Sequence, residues 1–149
     1  MKALTKTRLS GLLSLVLLVA ACSTNHLAKA GDAAWRRGDA SAALSNWHAA
    51  RKHEGHLMDR GERAKLEDGV ADAVGAIARP AFQAAVDAVE TNNGLRALDI
   101  LLPLYGRKGL YRFLSSQHLS EARERMRPIL GEAIATAAGV NLQALAQGQ

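Results

Sequence analysis

Nowhere does this chain alternate apolar and polar residues between turn signals, as a half-buried β-strand requires, so its hydrophobic residues must be buried on helices. Alanine dominates, Val and Ile are sparse, and aromatics make up only 4%, a composition that favours helix over sheet. The expected fold is therefore all-α, a compact domain of about five to seven helices.

Helix boundaries are read from caps and breakers. A first helix is predicted over 27–37, closed by Gly38. Asp39 is placed to cap a second over 40–52, because its carboxylate accepts from the free N–H groups of the first turn. His53-Glu54-Gly55-His56 breaks that helix. Asp59 with Glu62 three residues later has the form of a capping box for a third helix over 60–78. Gly61, Gly69 and Gly75 either weaken this helix or let a neighbour approach closely. Pro80 suits the first turn of a helix over 80–91, where its missing N–H has no partner to lose. Asn92-Asn93-Gly94 forms a turn. A helix over 95–105 follows, bent or ended by Pro103. Gly106 and Gly109 bracket a basic loop, and 110–114 makes one helical turn or two. Ser120 is expected to cap a last long helix over 121–138. Its stripe of Ala122, Met126, Ile129, Ala133, Ile134 and Ala137 recurs at steps of three and four. Pro128 should kink or split that helix, and 141–146 is a weak terminal turn.

The start of the chain follows different rules. Lys2, Lys6 and Arg8 make it basic, no acid precedes Asp32, and the apolar run over 9–21 has 13 residues. A lasting membrane span needs about 20. A basic start, a short apolar run and small residues at its end describe an export signal that is removed. Val19-Ala20-Ala21-Cys22 resembles the lipobox of bacterial lipoproteins. That resemblance implies cleavage before Cys22 and a diacylglyceryl group and an amide-linked acyl chain on it, together enough for stable anchoring. Residues 1–21 are then leader, 22–26 a short tether and 27–149 a single α-helical domain. Ser23 after the cysteine implies, by the same resemblance, sorting to the periplasmic face of the outer membrane rather than retention in the inner one. The tether from Cys22 to Leu27 reaches at most about 18 Å, so the domain is expected to lie close to the head groups.

Removal of the leader changes the charge. The whole chain has 19 Lys and Arg against 14 Asp and Glu, a net +5; without Lys2, Lys6 and Arg8 it is +2. The basic isoelectric point thus belongs mostly to the leader, and nucleic acid is not an expected partner. Cys22 is the only cysteine, so once acylated it leaves no thiol for a disulfide, a metal or a nucleophile.

One segment carries a packing pattern. Gly31, Gly38-Asp39, Ala43, Trp47 and Ala50 resemble a tetratricopeptide (TPR) helix pair: a small residue in the first helix, a Gly-Asp turn, then Ala, an aromatic and Ala on one face of the second. The resemblance implies that Trp47 fills the gap between the helices. A weaker echo comes 54 residues later, with Ala85 in the small place, Asn92-Asn93 as turn, then Ala97, Leu101 and Leu104. That interval is too long for consecutive 34-residue repeats. One good TPR-like hairpin near the mature N-terminus and one poor one, separated by an extra helix, are expected.

Catalytic signatures are not in evidence. His48, His53 and His56 with Glu54 have poor metal spacing: 48 and 53 lie on different faces of a helix. Acidic residues are scattered through caps and solvated faces, and no nucleophile elbow, phosphate loop or His-Glu-x-x-His run occurs. Neither an enzyme, a metal nor a cofactor beyond the lipid on Cys22 is expected. The basic residues Arg107, Lys108 and Arg112 are interleaved with Tyr105, Tyr111 and Phe113, and Arg123, Arg125 and Arg127 follow. Trp35, Tyr105, Arg107, Lys108, Tyr111 and Arg112 form a candidate interface, since Tyr, Trp and Arg are enriched at protein contacts. TPR-like lipoproteins that help assemble secretins, pili or outer-membrane barrels supply the functional analogy: a non-enzymatic adaptor with a protein partner in the envelope. A cell-wall-binding lipoprotein, or a regulator of a cell-wall enzyme, is the alternative.

Overall fold

The computed structural model describes residues 25–146, so the leader and Cys22 lie outside the described residues. Within them the protein is all-α, with five helices: α1 (His26–Arg36), α2 (Ala40–His53), α3 (Arg60–Glu90), α4 (Gly94–Tyr105) and α5 (Ser116–Ala146). A 3-10 turn, Leu110–Phe113, links α4 to α5. Each helix packs on the next, and α5 returns to touch α3. Two short turns make antiparallel neighbours of α1 and α2 and of α3 and α4.

Trp47 is the centre of the first hairpin. It is buried between two glycines on different helices. A Cβ on Gly31 of α1 would collide with the indole, lying 2.8 Å from Cγ and closer still to Cδ1 and Nε1. On the other side a Cβ on Gly69 of α3 would stand 3.2 Å from Cη2. Small residues here let three backbones close on one large ring, and Ala43 and Ala50 are fully buried on the same face. The indole N–H donates to Asp32 Oδ1 at 3.0 Å, so its one polar group has a partner. Gly69 therefore serves close packing, whereas Gly61 and Gly75 face open space or a flexible side chain.

The second hairpin repeats the first with different side chains. In α1 the Gly38 N–H donates to Trp35 O at 2.9 Å and the Asp39 N–H to Ala34 O at 3.1 Å. In α3 the Asn92 N–H donates to Val89 O at 2.9 Å and the Asn93 N–H to Ala88 O at 2.7 Å. Both are Schellman closures with a left-handed residue, Gly38 at φ 78° and Asn92 at φ 57°. Asp39 and Asn93 then cap the next helix, accepting from the N–H of Ala42 and of Arg96. Ala85, Ala97 and Leu101 are fully buried, matching Gly31, Ala43 and Trp47. Gly94 adds a close crossing, because a Cβ there would lie 2.5 Å from the Ala137 N of α5.

Three expected boundaries are corrected. Residues 60–78 and 80–91 form one helix, α3, with Pro80 inside it. A mid-helix proline costs about 3 kcal/mol and cannot donate to the carbonyl of Ala76. Burial on both sides of it holds the helix together: Leu66, Val70 and Val74 before it, Ala85 and Ala88 after it. The last helix starts at Ser116, with Ser115 in the capping place its Oγ fills by accepting from His118 N at 3.3 Å. Ser120 lies inside the helix. The helix also runs through Pro128 and takes in 141–146. Of its expected stripe, Met126, Ala133 and Ala137 are buried, but Ile134 is 53% exposed and faces away from the core.

Candidate functional site

A cleft of about 760 Å³ lies between α3 and α5, closed at its side by the 3-10 turn. It exists because α3 presents Ala71, Gly75 and Ala78 there, at steps of four and three, and these leave a gap that α5 does not fill. A Cβ at Gly75 would meet nothing within 4 Å. Val74, Ala78, Tyr111 and Met126 form a buried floor, and Phe82 and Leu114 extend it.

The rims are charged with both signs. Asp68, Asp72 and Arg79 stand on α3, facing His118, Glu121 and Arg125 on α5. His118 crosses the cleft, its Nε2 3.3 Å from Asp68 Oδ1. Its Nδ1 lies 2.9 Å from Ser115 Oγ, so the hydroxyl donates there while Nε2–H donates to Asp68. This Ser-His-Asp chain is accounted for by helix capping, since the same Ser115 oxygen also accepts from the first turn of α5. It sets the His118 ring at the cleft wall.

Beside the cleft, the 3-10 turn gathers the aromatic and basic residues of the candidate interface. Tyr111 is a correction: it is core, only 7% exposed, and its hydroxyl donates to Met126 Sδ at 3.1 Å. Tyr105 is half-buried and meets the Tyr111 ring edge-on, at 5.0 Å and 84°. Burial pushes both phenols above their ordinary pKa; for Tyr111 the neighbouring Tyr105 adds to this, while Arg125 opposes it, as Arg123 does for Tyr105. Arg107 and Lys108 are exposed in the loop. Arg112 is exposed too, with its guanidinium 4.5 Å from the Phe113 ring centre. Trp35 is 37% exposed and leans on Trp47 with ring centres 5.9 Å apart, so it sits at the far hairpin and not with this group.

Phe113 also meets His48, the two rings edge to face at 4.8 Å. Arg51 donates to His48 Nδ1 at 3.1 Å, to Glu67 Oε2 at 3.1 Å and to Phe113 O at 2.9 Å, joining α2, α3 and the turn. Burial lowers the His48 pKa first, and the positive charges of Arg51, Arg112 and Lys52 lower it further. His53 and His56 stay exposed, and Glu54 is occupied elsewhere: its carboxylate accepts from Leu27 N at 3.0 Å and Ala28 N at 3.4 Å, capping α1. Among the described residues no three His, Cys, Asp or Glu side chains converge as metal ligands. No described helix is long and apolar enough to cross a membrane.

Comparison with protein-family models, curated proteins and solved structures finds no match to this chain. The site must be read from its own geometry. Phe82, Leu114, His118 and Asp72 did not stand out in the sequence. The signal that marks them is the spacing of Ala71, Gly75 and Ala78, which leaves room for whatever the cleft holds.

Proposed function

We propose that the protein is a lipid-anchored, non-enzymatic adaptor of the bacterial envelope that holds a segment of a partner protein in the α3–α5 cleft. The observation that carries this reading is the make-up of the cleft. An apolar floor from Val74 to Phe82 lies between rims that carry both signs of charge, which suits an amphipathic segment that buries one face and leaves the other at the rims. The lipobox around Cys22 supports anchoring, and Ser23 supports the outer membrane's periplasmic face. The exposed basic loop at Arg107 and Lys108, next in the chain to the 3-10 turn that closes the cleft, would meet acidic residues flanking the bound segment.

Capture by the soluble Cys22→Ala form tests the proposal when paired with Gly75→Leu, which fills the cleft where a side chain has room. One envelope protein retained by the first and lost with the second is the expected result. Equal retention by both moves the contact out of the cleft. Retention on purified cell wall instead would favour the wall-binding alternative.

A further inference from the structure

The geometry points to one end of the bundle, where α2 ends and α3 begins, as a surface that rests on anionic lipid. This inference depends on the anchoring proposed above and adds to it which face meets the bilayer. The described chain begins at Asn25, and Asn25 is fixed there: its Nδ2 donates to Glu62 Oε1 at 3.1 Å. The next residues are clamped to the same place, Leu27 and Ala28 donating to Glu54 in the loop between α2 and α3. Arg63 on the first turns of α3 reaches back to Met58 O at 3.2 Å. Three chain segments thus end together. Cys22 precedes Asn25 by three residues, at most about 11 Å of chain, so an acyl group on Cys22 holds this end at the head groups whatever path those residues take.

The charges at this end suit such a neighbour. All three of its carboxylates are engaged by backbone or amide donors, Glu54 half-buried and Asp59 and Glu62 at the surface. Glu54 caps α1, while Asp59 and Glu62 form the capping box of α3. Two cationic side chains at this end, Lys52 and Arg60, are exposed, and among the described residues neither is in an ion pair; the imidazoles of His53 and His56 are exposed beside them. Leu57 stands among them, 54% exposed, next to the buried Met58. An exposed leucine flanked in the chain by two unpaired cations, three residues past the anchor-proximal clamp at Glu54, suits a surface-seated segment: the apolar group enters the boundary layer and the cations meet phosphate. The occupant is therefore a lipid surface bearing phosphate anions.

Acylation of Cys22 leaves the protein without a free thiol, so Leu57→Cys or Ser41→Cys introduces a single labelling site. Ser41 is exposed and sits about 18 Å further along α2 from its last residues. The lipidated full-length protein, its acylation checked by mass, is placed in vesicles of phosphatidylethanolamine and phosphatidylglycerol carrying a head-group spin label. A fluorophore at position 57 is expected to be strongly quenched and one at 41 weakly. The difference should be lost with Lys52→Glu and Arg60→Glu together, and reduced in vesicles of phosphatidylcholine alone. Equal quenching at 57 and 41 in the acylated protein overturns the orientation and leaves the anchor standing. Quenching at 57 that ignores both the charge reversal and the lipid charge shows proximity by tether alone and overturns the lipid-binding surface. A free thiol on Cys22 overturns the anchoring reading itself, and this inference with it.

Discussion

Gly31 on α1 faces the indole of Trp47 on α2 without room for a single methyl group between them. Trp47→Ala is expected to cost about 3–5 kcal/mol, as for other buried aromatic truncations. Gly31→Ala should cost about 1–3 kcal/mol through overpacking, although alanine is the better helix former. In a double-mutant cycle the two costs should not add, because removing the indole removes the collision. Urea melts of the soluble domain decide this, and a Trp47→Ala loss below about 1 kcal/mol would contradict the packing described.

The two hairpin turns should respond alike at their caps and differ at their left-handed residues. Gly38→Ala sets a new Cβ at positive φ, for about 1–2 kcal/mol, whereas Asn92 already carries one and Asn92→Ala should cost less; Asp39→Ala and Asn93→Ala each remove a cap, for about 1 kcal/mol. A cost in the first turn with none in the second would mean that α3 and α4 are held by burial and not by their turn.

Gly75 separates stability from binding. Gly75→Ala should raise stability by up to about 1 kcal/mol, since nothing opposes the added methyl. Gly75→Leu should keep the melt near wild type while abolishing partner capture. Capture lost only in step with a lowered melting point would show unfolding and not a filled cleft.

The pH profile of stability has two expected edges. His48 sits below the ordinary histidine value of 6.5, chiefly by burial. Between its folded pKa and 6.5 the unfolded chain binds more protons, so its contribution is full above 6.5 and is lost as pH falls. Tyr105 and Tyr111 sit above the ordinary 10.0, also chiefly by burial. There the folded state keeps protons that the unfolded chain releases, so their contribution is full below 10 and is lost as pH rises. Thermal melts of His48→Gln should lose the acid edge just below 6.5 and keep the alkaline one. An unchanged acid edge would assign it to other groups.

How much of this was legible in the sequence depends on what each residue signals locally. Asp39, the Asp59-Glu62 box and Gly38 act through neighbours three or four residues away, so their roles could be read directly. The Gly31-Ala43-Trp47 set was legible for the same reason: its spacing follows helix geometry. Pro80 misled because its local preference for a helix start is outweighed by burial on either side, which no local pattern records, and α5 likewise continues past Pro128 without splitting. Ile134 has the right period but falls on the open side of α5, since a stripe fixes a face only when a neighbour covers it. The cleft was hidden altogether. It needs α5 to return beside α3, and that juxtaposition is set by Gly94 letting α5 approach α4 closely.

The proposed anchoring at Cys22 would set where the cleft and the α2–α3 end do their work, and one mass spectrum tests it. The N-terminal peptide of the protein extracted from cell membranes is expected to begin at Cys22 and to carry a diacylglyceryl thioether and an amide-linked acyl chain. A peptide with an unmodified Cys22 thiol, or one that still contains residues 1–21, would contradict the account.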